Sequence, residues 1–159
     1  MSESTASSGP AAPLIALGQG IFDPIQKFGT PVIELIMRLM MARIFFYSGL
    51  TKIESFENTV FLFQYEYNVP IIPHTFAAYS ATFFELVMPV FLVLGLFTRF
   101  AALPLLGMAM VIQFHLGATN AAYFHWEHYF WMITLAYLVI RGGGALSLDN
   151  LLAKRFGLR

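Results

Sequence analysis

From Phe76 to Phe97 the chain reads FAAYSATFFELVMPVFLVLGLF, an apolar run whose single charge, Glu85, is its tenth residue. A bilayer core about 30 Å thick needs roughly 20 residues of helix, so this run is long enough to cross one. Backbone in lipid has no water to bond with, which leaves a helix as its available form. Three further stretches repeat the pattern. Pro31 to Leu50 opens on a proline suited to a first helical turn. Ala101 to Ala118 is the next, and Tyr129 to Ile140 reaches spanning length only with Tyr123 to His128 included. No strand pattern competes. Four such helices joined by short loops predict an all-α integral membrane four-helix bundle.

Composition points the same way. Of 159 residues 58% are hydrophobic and 11% charged, against about 25% charged in an ordinary soluble domain. That is too little polar surface to coat a soluble enzyme. The formal charge is zero, so no excess of cations exists to release counterions from nucleic acid. Cysteine is absent, which excludes thiol catalysis, iron–sulfur ligation and covalent haem attachment. No dinucleotide-binding pattern and no paired haem ligands are evident.

Toward the N-terminus, Met1 to Pro13 is rich in Ser, Ala and Pro and reads as disordered. Leu14 to Phe22 is apolar but short, fit to lie on a membrane rather than cross it. The expected organisation is therefore a disordered or interfacial segment over 1–28, a transmembrane domain over 29–152 and a short basic tail over 153–159. Lys27, Arg99, Arg141, Lys154, Arg155 and Arg159 fall on one side of the predicted spans, and Lys52 alone on the other. The excess of basic residues places both termini in the cytoplasm. The first outer loop, Ile53 to Thr75, carries Phe56, Phe61, Phe63, Tyr65 and Tyr67 among glutamates. An aromatic segment of this kind is expected in the headgroup region, either floating on lipid or forming a lid over the bundle's outer mouth.

Charges near the centre of a span cost about 2.5–3.5 kcal/mol each on insertion scales, so they normally point inward and have partners. Glu34 and Arg38 stand four residues apart on one helical face and are expected to pair and pin the helix end. Arg43 has no acid one turn away, and the acid at matching depth is Glu85. An Arg43–Glu85 pair is therefore expected, either setting helix register or handling protons and ligand. Pro89 would leave the Glu85 carbonyl free beside the carboxylate. Gln113 and His115 stand about 200° apart around a helix, so only one of them can face the interior. His125 and His128 share a face, and with His115 they form the candidate imidazole set for a metal or a proton relay. Interfacial anchoring is the plainer reading of those histidines. Lys52 either snorkels to phosphate headgroups or presents a cation to an anionic or quinone-like head.

Taken in order, Arg43, Phe46-Tyr-Ser-Gly49-Leu-Thr-Lys52, Glu85, Gly95-Leu-Phe-Thr98-Arg99, His115, Glu127 and Gly142-Gly-Gly144-Ala-Leu-Ser147-Leu-Asp149 resemble the DoxX family of four-helix membrane proteins. The likeness covers the chain from about Arg38 to Leu152. Thr59 to Pro70 resembles a subgroup with a longer first outer loop, whose members tend to be encoded near makers of metal-chelating modified peptides. The resemblance implies a multi-pass protein of the bacterial inner membrane doing redox-associated work with soluble or membrane partner enzymes. It also carries Arg43, Lys52, Glu85, His115 and Glu127 over as the family's polar positions.

These residues allow two readings of function. In the first the chain is a membrane subunit of a quinone-linked oxidoreductase, with Arg43, Glu85 and His115 as the proton or ligand site and Lys52 and Glu127 as further quinone contacts. Electrons would then have to come from a partner. In the second it is a non-catalytic anchor, assembly factor or small-ligand or metal-binding protein, and the aromatic loop is a docking surface. Self-association into a homo-oligomer is compatible with both. A transport role fits poorly, since four helices without inverted repeats leave no room for a pore.

Overall fold

The structure, a computed structural model, describes residues 12–67, 69 and 72–157, and the expected disorder over residues 1–11 lies outside them. Among the described residues every regular element is helical. Helix α1 spans Ala12–Glu54 and α2 Phe56–Leu62, the latter running into a π-helical turn, Phe63–Tyr67. Helix α3 spans His74–Leu94. Helix α4, Thr98–Met110, continues through a π-helical turn at Val111–Leu116 to Thr119. A short 3-10 turn at Ala121–Tyr123 leads to α5, Glu127–Arg141, and α6 covers Leu148–Arg155.

Three expected boundaries differ. Helix α1 passes uninterrupted through Pro24 and Pro31, so no break separates residues 12–28 from the remainder of the helix. Each proline removes one helical donor, and the turns on either side keep the helix continuous through both positions. At 43 residues α1 is about 65 Å long, more than twice a bilayer core. At the other end, α5 does not extend back to Tyr123. Its fifteen residues give about 22 Å, because residues 121–126 are spent on a 3-10 turn and loop instead. The third boundary, at residue 152, falls inside α6.

Helix α1 packs along α3, α3 along α4, and α4 along α5, while α1 also meets α5. Between them lies an apolar core of Met41, Phe45, Leu92, Leu105, Leu135 and Leu138, with Ala42, Ala101, Ala102 and Ala109 letting the helices approach closely. The exterior inverts the arrangement of a soluble protein. Phe100 is 75% exposed and Ile140 73%, while Glu34, Arg38, Glu85 and Gln113 are at most 3% exposed. Among the described residues two helices, His74–Leu94 and Thr98–Thr119, are long and apolar enough to cross a membrane. Polar groups facing inward and large apolar ones outward are the distribution lipid requires. Helix α2 and its π turn fold back on α3, burying Phe63 against Ala77 and Ala78 with Phe56, Val60 and Tyr67 around them.

Candidate functional site

The inward face of α1 is a single stripe. Glu34, Arg38, Met41, Phe45, Ser48 and Lys52 recur every three or four residues, all buried or half-buried. At about 100° per residue they stay within roughly 40° of one line. Polar groups occupy the two ends of this stripe and the apolar core its middle.

At one end, Lys52 Nζ lies 2.7 Å from Glu85 Oε2 and donates to Ser48 Oγ at 2.9 Å. The Glu85 side chain is 3% exposed and that of Lys52 17%, so the ammonium covers the carboxylate and keeps one face open. That face borders a cavity of about 480 Å³ walled chiefly by apolar side chains, among them Phe63, Ala81, Phe84, Met108, Ile112 and Leu116. Three elements shape it. The last turns of α1 supply Ser48 and Lys52, α3 supplies Glu85, and the π turn after α4 brings Val111, Ile112 and Leu116 to the wall. A π turn widens the helix and re-aims its side chains, often beside a binding site.

The aromatic segment forms part of the wall at this end. Tyr67 and Tyr123 both line the cavity with rings edge-on at 5.7 Å, and the Tyr123 hydroxyl donates to Glu66. Burial, and then the Glu66 carboxylate, push both phenols above their ordinary range. The aromatic segment therefore lies over the cavity, tied to the loop before α5.

The expected Arg43–Glu85 pair does not form. Glu85 belongs to Lys52, and Arg43 is exposed with its guanidinium 5.9 Å from the Tyr47 ring. The reason is azimuthal: Arg43 is nine residues from Glu34, which turns it about 180° away from the inward stripe. Matching depth along a helix is not enough when the side chain leaves from the wrong face.

The opposite end is a knot of packed polar groups, most of them engaged, with Arg38 Nε and Thr98 Oγ1 buried without a hydrogen-bond partner among the described residues. Arg38, fully buried, donates to the carbonyls of Leu92 at 3.1 Å, Val93 at 3.4 Å and Leu146. The first two belong to the last turn of α3, where Leu92 O also accepts from the Gly95 amide at 3.2 Å and the helix dipole favours a cation. Glu34 does not pair with Arg38 as expected. It accepts from the Tyr137 hydroxyl at 3.0 Å and meets Arg141 at 3.5 Å. Asp149 caps α4 by accepting from the Phe97 and Thr98 amides. Gly95 and Gly144 are required here. Both have φ near +70°, and a Cβ would run into Arg38 at the first and into Glu34 at the second. A larger hollow of about 740 Å³ opens beside this knot, lined by Asp23, Lys27, Glu34 and Arg141, but its buried charge, Glu34, is already engaged.

The remaining sequence candidates lie elsewhere. His128 is buried with Nδ1 2.8 Å from Gln113 Oε1, and its ring lies 5.5 Å from that of His125. Gln113 is thus the inward member of the Gln113/His115 pair, and His115 is half-buried outside the cavity lining. Glu127 is exposed. Among the described residues no group of three His, Cys, Asp or Glu could hold a metal ion, so the candidate set His115, His125 and His128 does not assemble. Sequence reading missed Ser48, Tyr67 and Tyr123 as wall residues, although Ser48 shares its helical face with Lys52.

Comparison with known proteins adds a family likeness. A family model described as DoxX matches residues 33–118, a range that contains Arg38, Ser48, Lys52, Glu85 and the π turn of α4. A protein of Haemophilus influenzae, described as an uncharacterized protein, is 32% identical over 137 residues, covering 82% of this chain and 89% of its own length. No solved structure matches.

Proposed function

Because the chain belongs to the DoxX family, we propose that it is a four-helix bundle of the bacterial inner membrane whose Lys52 end takes the head of a lipid-soluble quinone, as a redox-associated subunit beside partner enzymes. One observation carries the reading: a lysine–glutamate pair exposed on one face to a largely apolar cavity of about 480 Å³. Lys52 supplies a donor for a ring carbonyl oxygen, and Glu85 supplies an acceptor for a ring hydroxyl and a station for the proton that reduction takes up. The apolar walls suit a ring and the start of a hydrocarbon tail. Helices α1, α3, α4 and α5 are the four members of the bundle. With no cysteine in the chain, an iron–sulfur relay would belong to a partner. Apolar core separates Lys52 from Glu34, about 27 Å along α1, which argues against a conducting path.

Gly107 gives the test. It lines the cavity, and a Cβ there meets nothing within 4 Å. Gly107→Leu should fill the space, keep the unfolding temperature and abolish retention of quinone, measured by extraction from the purified protein. Undiminished quinone in a folded Gly107→Leu protein would remove the cavity from the reading. Loss of quinone with full activity of the partner enzymes would instead favour the anchoring role. Orientation is testable because the chain has no native cysteine. Tyr65→Cys on the exposed lid should react with a membrane-impermeant maleimide in intact spheroplasts, and Arg155→Cys only after lysis.

A further inference from the structure

Lys27 and Lys154 are exposed, whereas Lys52 is half-buried on the wall of an apolar cavity with a carboxylate 2.7 Å and a hydroxyl 2.9 Å from its nitrogen. We propose that Lys52 reversibly captures a lipid-soluble aldehyde as an imine, with Glu85 as the proton-transfer group. The proposal rests on the cavity being a ligand site, though not on the ligand being a quinone.

The chemistry closes without a further reagent. Glu85 accepts a proton from the Lys52 ammonium, and the freed nitrogen lone pair attacks the carbonyl carbon. The attached nitrogen passes one proton to the former carbonyl oxygen, giving the carbinolamine. Glu85 then returns the proton it took, so that the hydroxyl leaves as water while the C=N bond forms. The net change is aldehyde plus ammonium to protonated imine plus water, with no oxidation or reduction. Charge is the physical point in its favour. The protonated imine carries the same single positive charge as the ammonium, so Glu85 keeps its counterion and no charge is left unpaired in the buried site. A free carboxylate or phosphate would be an inferior occupant, because the cation it needs is already neutralised. Tyr67 and Tyr123 line the cavity, and their rings would slow hydrolysis by limiting the approach of water.

The test uses the full chain in nanodiscs of phosphatidylcholine, a lipid without a primary amine. Dodecanal with cyanoborohydride should leave one dodecyl group per chain, mapped by peptide mass spectrometry to Lys52. It should form there about 100-fold faster than at Lys27 or Lys154, the lower end of what general acid–base help contributes. Glu85→Gln should slow labelling, and Lys52→Arg, which keeps a cation beside Glu85, should abolish it in a folded protein. Dodecanol, the same chain without the carbonyl, is followed in parallel by its shift of the unfolding temperature. A dodecanol shift without preferential labelling of Lys52 overturns imine capture and leaves the cavity standing as a ligand site. Labelling spread evenly over the three lysines also overturns it, and absence of both the shift and the label overturns capture and cavity together.

Discussion

Lys52→Met should lower stability by about 3–5 kcal/mol, because it strands a buried carboxylate without its counterion. Glu85 is 3% exposed and its nearest cation is the Lys52 ammonium at 2.7 Å. The double variant Lys52→Met/Glu85→Leu should recover most of that loss, since a buried ion pair replaced by apolar groups of similar volume is close to neutral or better. Denaturant unfolding in detergent measures both. The comparison separates structure from chemistry at one position: a double variant that is stable yet retains no quinone assigns the pair to binding. A double variant as unstable as the single would make the pair a structural element, and a single variant as stable as the parent would remove the pair's partnership altogether.

Much of the fold was legible in the sequence because lipid imposes a coarse rule. Phe76–Phe97 and Ala101–Ala118 had to be helices, and both lie largely within helices of spanning length. The aromatic segment was readable as a lid or a floating loop, and it packs on Ala77 and Ala78 and contributes Phe63 and Tyr67 to the cavity wall, so it is docked on the bundle. Helix ends were harder to read. Pro31 carried a start signal that α1 ignores, and the aromatic lead-in to the last span became loop, because a terminus depends on tertiary partners as well as local residues.

The charges were legible in kind and misread in partner. Depth alone joined Arg43 to Glu85. Adding the azimuth sets Glu34, Arg38, Ser48 and Lys52 on one face and Arg43 on the other, which is where the structure puts them. What the wheel could not supply was Glu85's choice of Lys52, since that depends on how α3 lies against α1. Nor could it show that Arg38 turns to the carbonyls of another helix in preference to the neighbouring Glu34.

That choice of carbonyls makes Arg38 the second position of large effect. Arg38→Met keeps much of the side chain's length but leaves the carbonyls of Leu92, Val93 and Leu146 without this donor. Leu92 O keeps the Gly95 amide at 3.2 Å, and the Val93 and Leu146 bonds are only partly buried. Losing bonds from a charged donor, worth about 1.5–3 kcal/mol each at most, therefore brings the expected total loss to about 2–4 kcal/mol. The consequence should be directional. Leu146 lies in the loop between Gly142 and Asp149, so limited proteolysis should cut that loop first, while the Lys52 cavity keeps its ligand in whatever fraction stays folded. Arg43→Met is the matched control. Its guanidinium reaches out over Tyr47 at a depth where a charge is costly, so its removal should cause no loss of stability. If Arg43→Met proved the more damaging of the two, the inward stripe of α1 would be wrongly assigned, and with it the placement of Lys52 on the cavity wall.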